Sequence, residues 1–191
     1  MLAIARQRSK SAAVPVNIVN SDAETYEFAP ASFDVMFSQF GVMFFANPNV
    51  AFSNVHNALR PRGRIAFVCW RGHERNPWLV TPFEAVRHFM PEVEAPNPDA
   101  PASPFSFASQ EKVELLLGDA GFTDVELEPF ATTARMGEGS LEACVDFVGA
   151  FVGPVAGIIR GAGEAKTSAI INTLRNTLAQ YHTGNSIELA A

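Results

Sequence analysis

The stretch Phe33–Phe45, Phe-Asp-Val-Met-Phe-Ser-Gln-Phe-Gly-Val-Met-Phe-Phe, restricts the fold more than any other. It opens as a nearly continuous apolar run, the pattern of a strand buried on both faces. Ser38 and Gln39 then interrupt it together, and Gly41 follows. Open α/β sheets bind their ligands where a buried strand ends in a turn. The expectation is a central strand over Phe33–Phe40 with a binding site at its C-terminal end.

The flanks extend this reading. Asn47–Leu59 has helical periodicity, with Pro48 in its first turn and Val50, Val55, Ala58 and Leu59 near one face. Arg60-Pro61-Arg62-Gly63 should stop that helix, and Arg64–Trp70 reads as a second buried strand. Upstream, Met1–Lys10 reads as a helix with basic residues near its C-terminal end, where they suit the helix dipole. Val14–Val19 is β-branched and reads as a short strand. Ser21 with Glu24 three residues later has the spacing of a capping box for one helical turn, and Ala29–Ser32 reads as a turn. This alternation predicts an α/β fold: a Rossmann-like, mostly parallel sheet with flanking helices. The Phe33 and Arg64 strands should be neighbours, joined by a right-handed crossover.

Beyond Trp70 the pattern loosens. Arg71–Phe107 reads as irregular, with a helix over Thr81–Met90 and a proline-rich stretch over Pro91–Pro104. A loop of this length is commonly functional. Ser109 should cap a helix whose stripe is Val113, Leu116, Leu117 and Ala120. Gly121 should end it in the C′ position, with Phe122 folding back. Thr123–Leu127 alternates like a strand. Gly137–Gly163 is apolar and glycine-rich, Glu164–Tyr181 is amphipathic, and Ser186–Ala191 looks like a strand just begun. The chain is read as one domain, residues 1–191, with insertions around 71–108 and 137–182.

Composition removes several functions. With 191 residues, 48% apolar and 18% charged, the chain has the make-up of a globular domain. The net charge is -6 and no Lys/Arg run exists, which argues against nucleic acid as a partner. The two cysteines, Cys69 and Cys144, match neither a disulfide framework nor a zinc site. Cys69 lies in an apolar run and is expected to be a buried small hydrophobe. No two of the four histidines share metal-ligand spacing. The longest uncharged apolar run, Phe147–Ile159, is shorter than the roughly 20 residues of a spanning helix. No membrane segment is expected, and the localisation read from the sequence is cytoplasmic.

Three pieces, taken in order, resemble the class I S-adenosylmethionine-dependent methyltransferases of small-molecule type. Asn20-Ser21-Asp22-Ala23-Glu24 stands in the place of that family's acidic loop. Ser32–Phe40 stands in the place of its fourth strand. Ala58-Leu59-Arg60-Pro61-Arg62-Gly63-Arg64, running into Ile65–Val68, resembles its helix, turn and fifth strand. Leu117–Phe122 resembles the passage toward its sixth strand. The resemblance implies S-adenosyl-L-methionine as cofactor. By it, Asp22 would accept from the adenine amino group and the Ala23 backbone would meet the ring nitrogen. Ser38 and Gln39 would lie near the methionine part, and Leu2 would pack near the adenine. Phe40, Trp70, His73 and Trp78 flank the mouth after the two strands and are the candidate substrate pocket, with His73 the one histidine considered as a base. The family's glycine-rich loop and ribose-binding acid would fall before Met1, and its last strand beyond the end. The chain therefore reads as a methyltransferase domain truncated at both ends, expected to bind cofactor poorly.

Methyl transfer from a sulfonium needs positioning and a dry pocket more than an acid/base pair. The lack of a carboxylate pair, metal spacing or nucleophile elbow fits that chemistry. Two other readings stand beside it. One is a nicotinamide-dependent oxidoreductase fragment, which the sheet pattern alone permits. The other is a non-catalytic module that forms a homodimer through an unpaired edge of the Phe33 strand.

Overall fold

Asn47 closes its own helix start. Its side chain accepts from the Val50 N–H at 3.3 Å, and Pro48 occupies the first turn, where its missing N–H is no loss. This computed structural model describes residues 2–90, 100 and 102–191. In chain order it contains α1 (Leu2–Ser11), β1 (Phe33–Gln39), α2 (Pro48–Ala58), β2 (Leu59–Val68), α3 (Pro77–Val86), α4 (Gln110–Asp119), β3 (Thr133–Met136), α5 (Leu141–Phe151), α6 (Gly153–Ala162), α7 (Glu164–Leu178) and β4 (Ile187–Ala190).

β1 and β2 pair in parallel across α2, as the strand–helix–strand order requires, with Met36 opposite Ile65 and Ser38 opposite Phe67. Those four side chains share one face of the sheet. Phe52 of α2 and Val113, Leu116 and Leu117 of α4 cover it and, with Val42, Met43 and Phe107, make the first apolar cluster. The opposite face carries Phe33, Val35, Phe37 and Val68, and Phe37 is 79% exposed. The expectation of a strand buried on both faces is therefore corrected. Among the described residues no helix covers the second face, so the apolar run is half-covered.

Other expectations shift for identifiable reasons. Arg60–Gly63 does not precede β2 but bulges within it. Leu59 already pairs with Phe33, the register then skips to Val35 opposite Arg64, and Arg62 takes φ +69°. Val14–Val19 forms no strand. Val14, Val16 and Val19 are about half exposed and meet no ladder, and β propensity without a packed neighbour does not hold a strand. Thr123–Leu127 forms none either, because Asp124 at φ +54° breaks the extended run. The partner that Ser186–Ala191 needs is Thr133–Met136, giving a separate antiparallel pair, β3–β4. Among the described residues the sheet content is thus one parallel and one antiparallel pair. The Thr81–Met90 helix starts earlier, at Pro77, and ends in a 3-10 turn over Arg87–Phe89. The stretch Pro91–Pro104 falls largely outside the described residues.

The helical second half builds its own core. Ile158, Ile170, Leu174, Leu178 and Ile187 are fully buried together with Phe83, Val86, Val145 and Val148. α5 and α6 meet at 87°, and no single helix among the described residues is long and apolar enough to cross a membrane. The apolar stretch Phe147–Ile159 contributes Val148, Val152, Val155 and Ile158 to this core. Trp70 is half-buried against both clusters, at the junction of the two halves.

Candidate functional site

The C-terminal ends of β1 and β2 are shaped by two tight turns. At the first, the Ser38 hydroxyl accepts from the Gly41 N–H at 3.2 Å. A Cβ on Gly41 would stand 2.9 Å from that oxygen, so a larger residue there would make the Ser38 hydroxyl rotate away from this bond. Phe40, between them, sits at φ +55°, a left-handed conformation uncommon for a bulky residue. It is held there by its N–H, which donates to the Val68 carbonyl at 3.0 Å, and by its ring, stacked on Trp70 at 4.1 Å. Strained backbone of this kind is found where a fold serves a site. Gln39 is exposed at the strand end.

The second turn is residues 22–26. The Asp22 backbone carbonyl accepts from Thr25 and Tyr26, and its Oδ1 accepts from the Glu24 N–H at 2.9 Å. Its carboxylate is exposed. Ser21 and Glu24 do not form the expected capping box. Glu24 turns away and accepts from the Ala46 N–H at 2.6 Å and the Asn47 N–H at 3.1 Å, just before α2. From within α2, Asn54 donates to the carbonyls of Ala23 and Tyr26, both at 2.9 Å. Sequence reasoning missed Glu24 and Asn54, because their partners are backbone groups more than 20 residues away.

On the β2 side, the loop from Arg71 to Asn76 is organised by Asn76. It is 1% exposed and donates to the Arg71 and Gly72 carbonyls, while its own oxygen accepts from the Trp78 indole at 3.2 Å. Trp78 lies 5.0 Å from Trp70. Phe40, Trp70 and Trp78 thus form a continuous half-buried aromatic wall beyond the strand ends, three of the four residues read as a pocket. His73, the fourth, is exposed, 3.7 Å from the Glu74 carboxylate, with its ring edge toward Phe105. Behind the wall, Ser106 donates to the Met43 carbonyl at 2.7 Å and pins the Phe105–Phe107 segment to the connection after β1.

Leu2 lies on α1, which buries no residue, and the structure does not bring it into either cluster. Burial pushes the Cys69 thiol above its ordinary pKa, so it is protonated at neutral pH. Among the described residues no group of three His, Cys, Asp or Glu could hold a metal.

The arrangement offers an exposed carboxylate and a backbone N–H at residues 22–23, a hydroxyl-closed turn at 38–41, and an aromatic wall. Both turns border the connection between β1 and α2. An acceptor–donor pair beside a strand end suits a heterocycle with adjacent donor and acceptor atoms.

Comparison with known proteins falls on this region. The family of methyltransferase domains matches residues 1–67, which include both turns, α2 and most of β2. No curated protein matches. Two solved structures of phosphoethanolamine N-methyltransferase 2 from Haemonchus contortus are similar over the whole chain. One is in complex with phosphomonomethylethanolamine and S-adenosylhomocysteine, at 16% identity and TM-score 0.40. The other is in complex with S-adenosyl-L-methionine, at 15% identity and TM-score 0.40. The chain spans 40% of the length of those proteins. Over residues 1–67, then, the chain is similar to the methyltransferase domain family, and S-adenosylmethionine is the cofactor which that resemblance implies.

Proposed function

We propose that this chain serves S-adenosylmethionine-dependent methyl transfer to a small, apolar or aromatic molecule. The observation that carries the reading is the family match over residues 1–67, which coincides with the β1–α2–β2 unit and the two turns at its edge. Asp22 and the Ala23 N–H take the adenine edge. Ser38 and Gln39 border the methionine part, and Leu2 is assigned to the adenine side by resemblance. When bound, S-adenosylmethionine would supply an electrophilic methyl on a sulfonium, to be taken by the acceptor's lone pair with the neutral thioether as leaving group. Phe40, Trp70 and Trp78 exclude water and orient the acceptor, and His73, exposed in the loop after β2, is assigned the acceptor's proton.

These residues supply the base side and the strand end of a site. The turns assigned here cover only these parts of the ligand, so we expect affinity weaker than micromolar for this chain alone. Calorimetric titration with S-adenosylhomocysteine tests this. Asp22→Asn, which removes a charged acceptor, should weaken binding about tenfold further. Unchanged affinity in that variant would remove Asp22 from the site.

A second reading has its own observation. The outer edge of β1 has no partner strand among the described residues, and the apolar face beside it is open. A second copy pairing antiparallel about Met36 would set Val35 against Phe37 of the partner subunit. It would also set Asp34 against the partner's Ser38, so no like charges meet. Sedimentation decides this reading: Phe37→Lys should shift a dimer to monomer, and a wild-type chain that stays monomeric at high concentration contradicts it.

A further inference from the structure

We infer that Glu24 and Asn54 are positioning residues that clamp the 22–26 turn onto α2 and thereby set its preference for adenine. The inference rests on the assignment of Asp22 and Ala23 to the base edge proposed above, and it concerns two residues which that assignment does not use.

A surface turn of five residues, anchored only by its own backbone, would sample many conformers. This one is tied down twice by side chains. Glu24, half-buried, reaches across to the segment before α2, where its carboxylate accepts two backbone N–H bonds, from Ala46 at 2.6 Å and Asn47 at 3.1 Å. Such charge-assisted bonds are about twice as strong as neutral ones. Asn54, two turns into α2 and half-buried, donates both amide hydrogens back to the turn, one to Ala23 and one to Tyr26. The same helix thus holds the turn from its start and from its middle. Tyr26 continues the anchoring through an edge-on contact with Phe28, which in turn meets Phe33 at the start of β1.

The consequence is a fixed geometry at the ligand-facing side. Asp22 is exposed, with Oδ1 held by the Glu24 N–H at 2.9 Å, and among the described residues neither its second oxygen nor the neighbouring Ala23 N–H makes a hydrogen bond. One acceptor and one donor are then presented in fixed order. Adenine offers the complement, an exocyclic N–H beside an unprotonated ring nitrogen. Hypoxanthine reverses the order, with a carbonyl beside a ring N–H. Discrimination of this kind needs the donor and acceptor held still, because a mobile turn rotates to suit either base.

Two measurements separate the clamp from the base assignment. The first needs no ligand: amide hydrogen exchange in the full chain. Glu24→Ala and Asn54→Ala should each speed exchange at Thr25 and Tyr26 at least about tenfold, with Glu24→Gln intermediate, while Phe52 and Val55 of α2 stay protected. Unchanged exchange at Thr25 and Tyr26 overturns the clamp whatever the chain binds. Loss of protection throughout α2 also overturns it, because the residues then hold the helix rather than the turn. The second compares affinity for S-adenosylhomocysteine with that for its inosine analogue, by ligand-detected NMR. Wild type should favour adenine, and Glu24→Ala should reduce that ratio about tenfold, with partial recovery in Glu24→Gln. A wild-type preference that Asp22→Asn abolishes and Glu24→Ala leaves intact overturns the clamp and leaves the base assignment standing. A wild type without preference, or one that does not bind, overturns the base assignment, and with it the inference on adenine.

Discussion

At Gly121 a single backbone angle ends a helix. The residue takes φ +97°, its N–H donates to the Gly118 carbonyl and the Phe122 N–H to that of Leu117, the paired bonds of a Schellman cap. A Cβ there would also lie 3.0 Å from the His56 ring, which meets Phe122 edge-on. Gly121→Ala should therefore destabilise the chain by about 1–2 kcal/mol, read as a shifted denaturant midpoint. This cap was legible in the sequence, because Gly-Phe after an apolar stripe is a local signal. Glu24 was not. Its partners are backbone groups, which look alike in every residue, so spacing suggested a local cap where the fold uses a distant one. Cys69 gives a residue-scale test of burial. Burial raises its thiol pKa above the ordinary value, so the folded protein should alkylate more slowly at pH 8 than the denatured one. The sign follows from that direction. As the pH rises the unfolded thiol ionises first, so this group's contribution to stability is present at neutral pH and falls through the alkaline range. Equal alkylation rates in the folded and denatured protein would show the thiol to be open.

At the scale of elements, periodicity found the pieces whose burial is one-sided and long. α2, α4 and α7 lie within a few residues of where apolar spacing puts them, and Ser109 caps α4 as expected. Strands fared unevenly, because a strand exists only with a partner. β1 and β2 found each other, whereas Val14–Val19 found none. β3 was invisible, since Thr-Ala-Arg-Met has no strong strand signature, and β4 pairs with it through Met136 opposite Ile187 and through the ion pair of Arg135 with Glu188 at 3.2 Å. α7 gives the core of the helical half three fully buried side chains, Ile170, Leu174 and Leu178. Leu174→Ala should cost about 2–5 kcal/mol, because a fully buried side chain leaves a cavity. A loss below about 1 kcal/mol would mean that this core is loosely packed. Asn76→Ala, which removes the buried donor to the Arg71 and Gly72 carbonyls and the acceptor of the Trp78 indole, should loosen the loop after β2 and lower stability by about 1–3 kcal/mol.

For the whole molecule, the question is how a methyltransferase-like unit and a helical unit act together. Trp70 joins the two apolar clusters, stacked on Phe40 from one and against Trp78 beside the other. Read as a single domain, the chain should unfold in one cooperative transition, and Trp70→Ala should split it into two. Two transitions in the wild type would contradict that reading. The β1–α2–β2 unit was legible in the sequence as an ordered set of short pieces. Which of its polar groups face outward was not, since that depends on bonds such as Ser38 to Gly41 that only the folded turn makes. We propose the 22–26 and 38–41 turns as the cofactor side of the methyltransferase-like unit. The most direct test is an amide chemical-shift titration of the labelled chain with S-adenosylhomocysteine, which reads even weak binding residue by residue. Saturable shifts concentrated at Asp22, Ala23, Ser38, Gln39 and Phe40 are expected. Shifts confined to α5–α7, or none at millimolar ligand, would contradict it.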